Sequence, residues 1–484
     1  MTRTEIDAVP DTTPEQVAEL VAAAAAAATP WAATDLAVRA DVLERIAARL
    51  DATDELIALA AAETRLPEPS LTRELTRTSF QLRLFAQVVT DGGFLDVRID
   101  PADPQWPMGV PRPDLRRMNV PLGPVVNFAA SNFPFAFSVA GGDTASALAA
   151  GCPVIVKANP GHPRLSRAVG RIVGEVIAEC GAPAGTFGMV FGRDAGVGVL
   201  THPSIAAAAF TGSTAGGRAL FDLACRRPRP IPFYGELGSV NPVFVTADAA
   251  RARADEIASG LLASVSFNAG QLCTKPNLVV VPEDSPLLAA LAAAGPVPAG
   301  DLLNEAIERG FAESVARVRG HSEVAVLSGG PGQVSLLTTT ARAVLADSAI
   351  VHEMFGPATL VVTYRDNGEL LELAEALDGQ LTVSIFGDAA DDTAAALLTA
   401  ATAAAGRVLW NSWPTGVSVT YAQQHGGPYP ATTAPTTTSV GTAAISRFLR
   451  PVVYQSVPDA LLPPPLRDEN PLGIPRSVNG TRPQ

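Results

Sequence analysis

The sequence predicts an α/β protein with parallel sheets. Three observations carry this. From Pro124 onward, short apolar runs alternate with helical patterns: residues 125–129, 154–157, 187–191 and 205–210 read as strands, with helices at 138–150, 165–179 and 196–200 between them. Strands alternating with helices form parallel sheets whose ligands sit at the carboxyl ends of the strands. The length of 484 residues exceeds what one core holds, so two or three domains are expected. Hydrophobic residues make up 47% and charged residues 17%, the balance of a well-buried globular chain.

In chain order, residues 14–92 read as helices. Thr13 is placed to cap a helix opened by Pro14, along which Val17, Leu20, Val21 and Ala24 recur at helical spacing. The alanine-rich run at 21–28 is short and is expected to stop at Pro30, as a buried or half-buried helix and not a membrane span. Val42, Ile46 and Leu50 mark a second helix, and Leu71 to Val88 a long third one from about Ser70. Residues 93–119 alternate briefly at Val97-Arg98-Ile99-Asp100 and then turn proline-rich, as suits an extended arm. A second α/β unit runs from 236 to about 415, with strands near Val243, Leu278, Val324, Leu360 and Val383 and helices near Ala252, Leu302 and Ala394. A Thr/Pro/Gly-rich segment and a proline-rich tail follow. The expected division is 1–95 with 120–235 as a dinucleotide-binding domain, 236–420 as a catalytic domain, and 96–119 with 421–484 as an arm and tail.

The net charge of -13 argues against nucleic-acid or anionic-membrane partners, which need basic patches. The four cysteines, Cys152, Cys180, Cys225 and Cys273, show no metal-ligand spacing and no disulfide framework, so a reduced cytoplasmic setting is expected. Residues 1–10 carry Glu5 and Asp7 without an apolar run and do not read as a signal peptide.

The chemistry centres on Ser264-Val265-Ser266-Phe267-Asn268-Ala269-Gly270-Gln271-Leu272-Cys273-Thr274-Lys275-Pro276. Gly270 lets the backbone bend beside Cys273. A cysteine at a bend either presents a nucleophilic thiol and its own N–H to a cleft or fills a small buried space. The turn Thr211-Gly212-Ser213-Thr214-Ala215-Gly216-Gly217, between a strand and a helix, is either a site where a dinucleotide approaches a helix start or an ordinary tight turn; it lacks the GxGxxG spacing.

Taken together these motifs resemble the aldehyde dehydrogenase superfamily over nearly the whole chain. Phe267 to Cys273 resembles its nucleophile signature, and Glu236-Leu237-Gly238-Ser239-Val240-Asn241-Pro242 its general-base signature. Asn132 in Ser131-Asn132-Phe133-Pro134 matches its oxyanion asparagine, Phe210-Thr211-Gly212-Ser213-Thr214 with Gly217 its cofactor turn, and Glu353-Met354-Phe355-Gly356-Pro357 its ribose-binding stretch. The segments Trp410-Asn411-Ser412-Trp413-Pro414-Thr415-Gly416, His425-Gly426-Gly427-Pro428-Tyr429-Pro430-Ala431-Thr432-Thr433 and Thr437 to Ile445, with the tail Asn470 to Pro475, are similar to those of NADP-linked α-ketoglutaric semialdehyde dehydrogenases, a pattern shared in part with a fatty aldehyde dehydrogenase branch.

The resemblance implies the family's fold: a Rossmann-type cofactor domain, an α/β catalytic domain and a small β oligomerisation arm. It implies NAD(P)-dependent oxidation of an aldehyde to a carboxylate through a cysteine thiohemiacetal and thioester, with 2,5-dioxopentanoate to 2-oxoglutarate as the leading substrate. A broad or long-chain aldehyde dehydrogenase is the alternative, and an inactive binding or structural member the remote one. Cys273 is then the nucleophile, Asn132 with the Cys273 N–H the oxyanion donors, and Glu236 the base that activates water. Flanked by Tyr234 and Leu237, Glu236 is expected to have a pKa raised by desolvation.

Lys157, Arg193, Gly212, Ser213, Gly217, Glu353 and Phe355 are expected to bind the cofactor, and no metal is expected. NAD-preferring relatives often carry a glutamate where this chain has Pro160, so NADP is expected, with NAD as the alternative. Arg193 either pairs with the 2′-phosphate or is a solvated loop charge. Cys152, Cys180 and Cys225 are read as core-filling, and the five histidines carry no assigned role. The arm and tail imply a homodimer or homotetramer.

Overall fold

A computed structural model describes residues 9–481; Glu5 and Asp7 lie outside the described residues. Five strands form one all-parallel sheet in the order Phe187–Val190, Val154–Lys157, Val125–Phe128, Ala207–Thr211, Phe233–Glu236. The first strand in sequence lies in the middle, so the strand order reverses between Val125–Phe128 and Ala207–Thr211. That topological switch opens a crevice at the carboxyl ends of these strands. Every second side chain faces one way, as a strand requires. Val125, Val154, Val156, Ala207 and Ala209 enter the large core shared with the N-terminal helices, while Val126, Ile155 and Ala208 enter the core on the opposite face. Burial on both faces is what makes these strands read as continuous apolar runs.

A second sheet holds seven strands in the order Ala325–Ser328, Ser335–Thr340, Ala358–Tyr364, Leu278–Pro282, Val243–Val245, Gln380–Phe386, Ala405–Trp410. All its pairings are parallel except the first, which is antiparallel. The third sheet has four strands in the order Leu449–Gln455, Leu115–Pro121, Val97–Asp100, Arg476–Val478 and is formed by the arm and the C-terminal tail. Among the described residues no helix is long and apolar enough to cross a membrane.

Several boundaries differ from the sequence reading. The first helix, Pro14–Ala32, has the expected Thr13 cap but runs through Pro30 instead of stopping there. So near a helix end the ring displaces little further hydrogen bonding. The helix Glu55–Thr64 went unpredicted because ELIALAAAET offers little contrast between its faces. The helix expected at 138–150 begins only at Gly142, after a turn. Leu302 is not helical; the helix there is Glu305–Arg319, started by Asn304, whose side chain accepts from the Ala306 and Ile307 N–H groups. Strands Ser335–Thr340 and Ala405–Trp410 were also unpredicted. Cys152 is buried as expected, but Cys180 is only partly buried and Cys225 is exposed.

Candidate active site

The helix Ala254–Ser266 ends directly before Phe267, where the nucleophile signature begins. Asn268, Ala269 and Gly270 then take positive φ values of 48°, 53° and 67°. For the two non-glycine residues this costs about 1–2 kcal/mol each. Glycine is required at 270, because a Cβ there would stand 2.3 Å from the Gly356 carbonyl oxygen. The bend is clamped from outside: Ser70 Oγ donates to Asn268 Oδ1 at 3.0 Å, and Gln271 Nε2 donates to the Asn268 carbonyl at 3.0 Å. Cys273 follows in a tight turn, half-buried, its carbonyl accepting from Asn241 Nδ2 at 2.7 Å.

Glu236 closes the last strand of the five-stranded sheet and is 4% exposed. Its Oε2 accepts a hydrogen bond from Ser439 Oγ. His425 is fully buried and comes from the irregular segment after residue 411. One ring nitrogen, Nε2, lies 2.9 Å from Glu236 Oε1 and 3.6 Å from Cys273 Sγ. It is near enough to stabilise the Glu236 charge but not aligned for a hydrogen bond, so Oε1 is left with no hydrogen-bond partner. The loop is held rigidly: the His425 N–H donates to Thr438 Oγ1 and its carbonyl accepts from the Ser439 N–H, both at 2.8 Å.

The protonation of the pair follows from these contacts. Burial, then the Glu236 and Glu353 carboxylates, push the Cys273 thiol well above its ordinary range, with Arg407 opposing. The resting group is therefore a thiol. Burial also pushes Glu236 up, but the His425 ring, the Ser439 hydroxyl and the more distant Arg447 outweigh it and hold the carboxyl below its ordinary range. This reverses the expectation from desolvation alone: the neighbours that lower the pKa are supplied from residues 425–447, invisible in the local sequence. The three side chains offer one ligand-type atom each within 4.8 Å of one another. Coming from positions 236, 273 and 425, they have no metal-like spacing, and the chemistry below asks nucleophilic attack of Cys273 and proton transfer of the other two.

Asn132 sits in the turn after Val125–Phe128 and donates one of its two amide N–H groups to the Gln271 carbonyl at 3.1 Å, which brings it beside the nucleophile stretch. Lys157 ends its strand as expected; burial lowers its pKa, while the Asp11 carboxylate acts to raise it. Asp11 itself went unpredicted: its carboxylate atoms lie 2.5–2.8 Å from where a Cβ on Gly192 would be. Arg193 is the first residue of the helix Arg193–Thr201 and is exposed, with no contact that sets it apart from a solvated charge.

The turn at Gly212 leads into the helix Thr214–Arg226, capped by Ser213, whose side chain accepts from the Gly216 N–H. Gly212, Ser213 and Thr214 are exposed at this helix start, and a Cβ on Gly217 would collide with Leu237 at 2.2 Å. Glu353 reaches the same place, with Oε2 2.4 Å and Thr214 Oγ1 2.9 Å from where a Cβ on Gly238 would stand. Burial pushes Glu353 up to about 7 and Lys275 down to about 7. Lys275 Nζ donates to the Met354 carbonyl at 2.8 Å and so ties the Glu353 loop to the nucleophile stretch. Phe355 is half-buried on that loop. An open helix start, a lysine at a strand end and a carboxylate beside them are the donor and acceptor set a dinucleotide needs.

Two groups near the thiol carried no role in the sequence reading. His425 was visible only as part of a motif with no spacing to Cys273. Arg77 lies on the helix Glu68–Asp91, and its charge interacts with those of Cys273 and Glu236. Neither had a local signal, because what matters is a contact made across hundreds of residues.

The sequence profile of the aldehyde dehydrogenase family matches residues 1–429. The chain is 48% identical to alpha-ketoglutaric semialdehyde dehydrogenase 2 of Azospirillum brasilense over 93% of its own length and 88% of that protein. It is 42% identical to an alpha-ketoglutaric semialdehyde dehydrogenase of Acinetobacter baylyi over 91% of this chain and 86% of that one. Among solved structures, aldehyde dehydrogenase 21 from Physcomitrella patens, in complex with the reaction product succinate, superposes with a TM-score of 0.76 at 21% identity, covering 93% of this chain and 92% of that one.

Proposed function

The chain belongs to the aldehyde dehydrogenase family of NAD(P)-dependent, aldehyde-oxidising enzymes, and from that premise we propose that it oxidises 2,5-dioxopentanoate to 2-oxoglutarate with NADP through a Cys273 thioester. The observation that carries the chemistry is the convergence of Cys273, His425 and Glu236 around one imidazole nitrogen. The substrate is argued from the two semialdehyde dehydrogenases to which the chain is 42–48% identical.

The steps follow from the residues. The Cys273 proton passes into the Glu236–His425 pair as its sulfur attacks the aldehyde carbon. Charge develops on the former carbonyl oxygen, where the second Asn132 amide N–H and the Cys273 N–H donate; each such donor commonly contributes about 3 kcal/mol. Bound NAD(P) would supply the acceptor for the hydride that leaves the thiohemiacetal carbon. Lys157, the 212–217 turn, Glu353 and Phe355 would hold it, with Arg193 as a further phosphate contact. Glu236, ionised and with Oε1 free to accept, takes a proton from the water that cleaves the thioester. The acid leaves, and Cys273 recovers its proton.

Pro160 in place of an acidic residue supports NADP. The Asp11 carboxylate near Lys157 is the group that would favour NAD instead. The deciding assay is kcat/KM for 2,5-dioxopentanoate against a long-chain aldehyde, each with NADP and with NAD. The expected result is a preference of at least about 100-fold for the dicarbonyl acid, worth about 2.7 kcal/mol in the transition state, with NADP ahead of NAD. Equal rates, or a preference for the long chain, would sink the substrate; NAD ahead of NADP would sink the cofactor preference.

A homodimer or homotetramer is supported by the four-stranded sheet, whose strand Leu449–Gln455 pairs on one side only and exposes Val453. An open edge of this kind is a template for a second copy. Light scattering on the purified protein is expected to give a multiple of the 49.9 kDa chain mass; a monomer at micromolar concentration would refute it.

A further inference from the structure

We infer that Arg77 is the anchor for the substrate's carboxylate, and therefore the residue that makes this site select acidic aldehydes. The inference rests on the substrate reading above and deepens it. A linear five-carbon oxo acid places its carboxylate carbon about 5 Å from the aldehyde carbon when extended. A site built for it needs a cation close enough to act on Cys273 and not already neutralised.

Arg77 meets these conditions. It is half-buried, its Nη1 is shielded from solvent, and that nitrogen has no hydrogen-bond partner. An orphaned buried donor on a charged group is costly and calls for a partner. Among the described residues no carboxylate lies within ion-pair distance of it. The acid one turn away, Glu74, is committed elsewhere, its Oε1 accepting from the Phe135 and Ala136 N–H groups at 2.8 and 2.9 Å.

The guanidinium carbon lies 5.2 Å from the centre of the Phe137 ring, and the His425 ring packs on the same phenyl group at 6.3 Å. One aromatic ring therefore separates the arginine from the imidazole that touches the thiol. Burial lowers the Arg77 pKa, while Glu74, Cys273 and Glu236 act to raise it; an arginine stays charged through such a shift. The competing cation, Arg407, also faces Cys273, but its Nη1 and Nη2 already donate to the Gly416 and Pro414 carbonyls at 2.9 and 2.6 Å. Those two bonds tie it to residues 414–416 and leave only Nε without a partner.

The test compares wild type, Arg77→Met and Arg77→Lys on 2,5-dioxopentanoate, 5-oxopentanoate and pentanal. Methionine keeps much of the stem that packs on Phe137 while removing the charge. Losing a charged hydrogen bond to the acids is expected to lower their kcat/KM about 10- to 100-fold in Arg77→Met, mainly through KM. Pentanal, which has no carboxylate, should change less than about 3-fold, and Arg77→Lys should recover part of the loss. Calorimetric binding of 2-oxoglutarate should weaken by a similar factor. The inference is overturned if the acids and pentanal fall together, which would mark a packing role, or if the acids are unaffected. If wild type uses 5-oxopentanoate as well as 2,5-dioxopentanoate and Arg77→Met loses both, the narrow substrate fails while the anchor stands.

Discussion

Replacing Cys273 by alanine is expected to reduce aldehyde oxidation by at least about 10,000-fold while leaving the fold and cofactor affinity in place. Removal of a covalent nucleophile leaves only what binding and oxyanion donors supply, and no neighbour can substitute for it. In the proposed mechanism Glu236 and His425 only move protons, so neither can stand in for the sulfur. The side chain is small and half-buried, so its truncation opens little space. Steady-state rates of NAD(P) reduction, thermal melting and NAD(P) titration together read the outcome. Residual turnover within 100-fold of wild type would remove Cys273 from the mechanism.

Glu236→Gln should separate the two halves of the reaction. Without a base toward water, steady-state turnover is expected to fall about 100- to 10,000-fold. A rapid burst of one reduced cofactor per active site should remain, because the hydride leaves before the water that Glu236 activates attacks. The same substitution removes a negative charge that opposes thiolate formation. The Cys273 pKa should therefore fall, and the pH midpoint of its alkylation by iodoacetamide should move to lower pH. His425→Gln should act oppositely on the carboxyl: without the imidazole that holds it low, the Glu236 pKa rises and the acid limb of the kcat profile moves toward neutral pH. Loss of the burst in Glu236→Gln, or an unmoved alkylation midpoint, would refute the division of labour between these residues.

How legible the molecule was depends on the range of the interactions. The strands of the parallel sheets announced themselves because both their faces are buried, so almost any local window is apolar. Ala405–Trp410 was missed because it lies at the sheet edge, where half-exposed residues such as Arg407 dilute that signal. The bend at Gly270 was readable, but the left-handed Asn268 and Ala269 were not, since non-glycine residues reach that region only when clamped by distant partners such as Ser70.

The sequence by itself determined the α/β class, the βαβ order, the capped first helix and the identity of a cysteine, a glutamate and an asparagine in recognisable local settings. These are properties of short segments, where periodicity and turn chemistry act over a few residues. Only the tertiary structure decided the electrostatics of the site. Glu236 reads locally as a carboxyl raised by apolar neighbours, yet a buried histidine 189 positions later in the chain reverses the shift. Arg77 reads as one more helix charge, yet folding strips its water from Nη1, leaves that nitrogen unpaired and brings its charge within reach of the thiol's. Charge interactions depend on distance through space and on the removal of solvent, and neither quantity exists until the chain has folded.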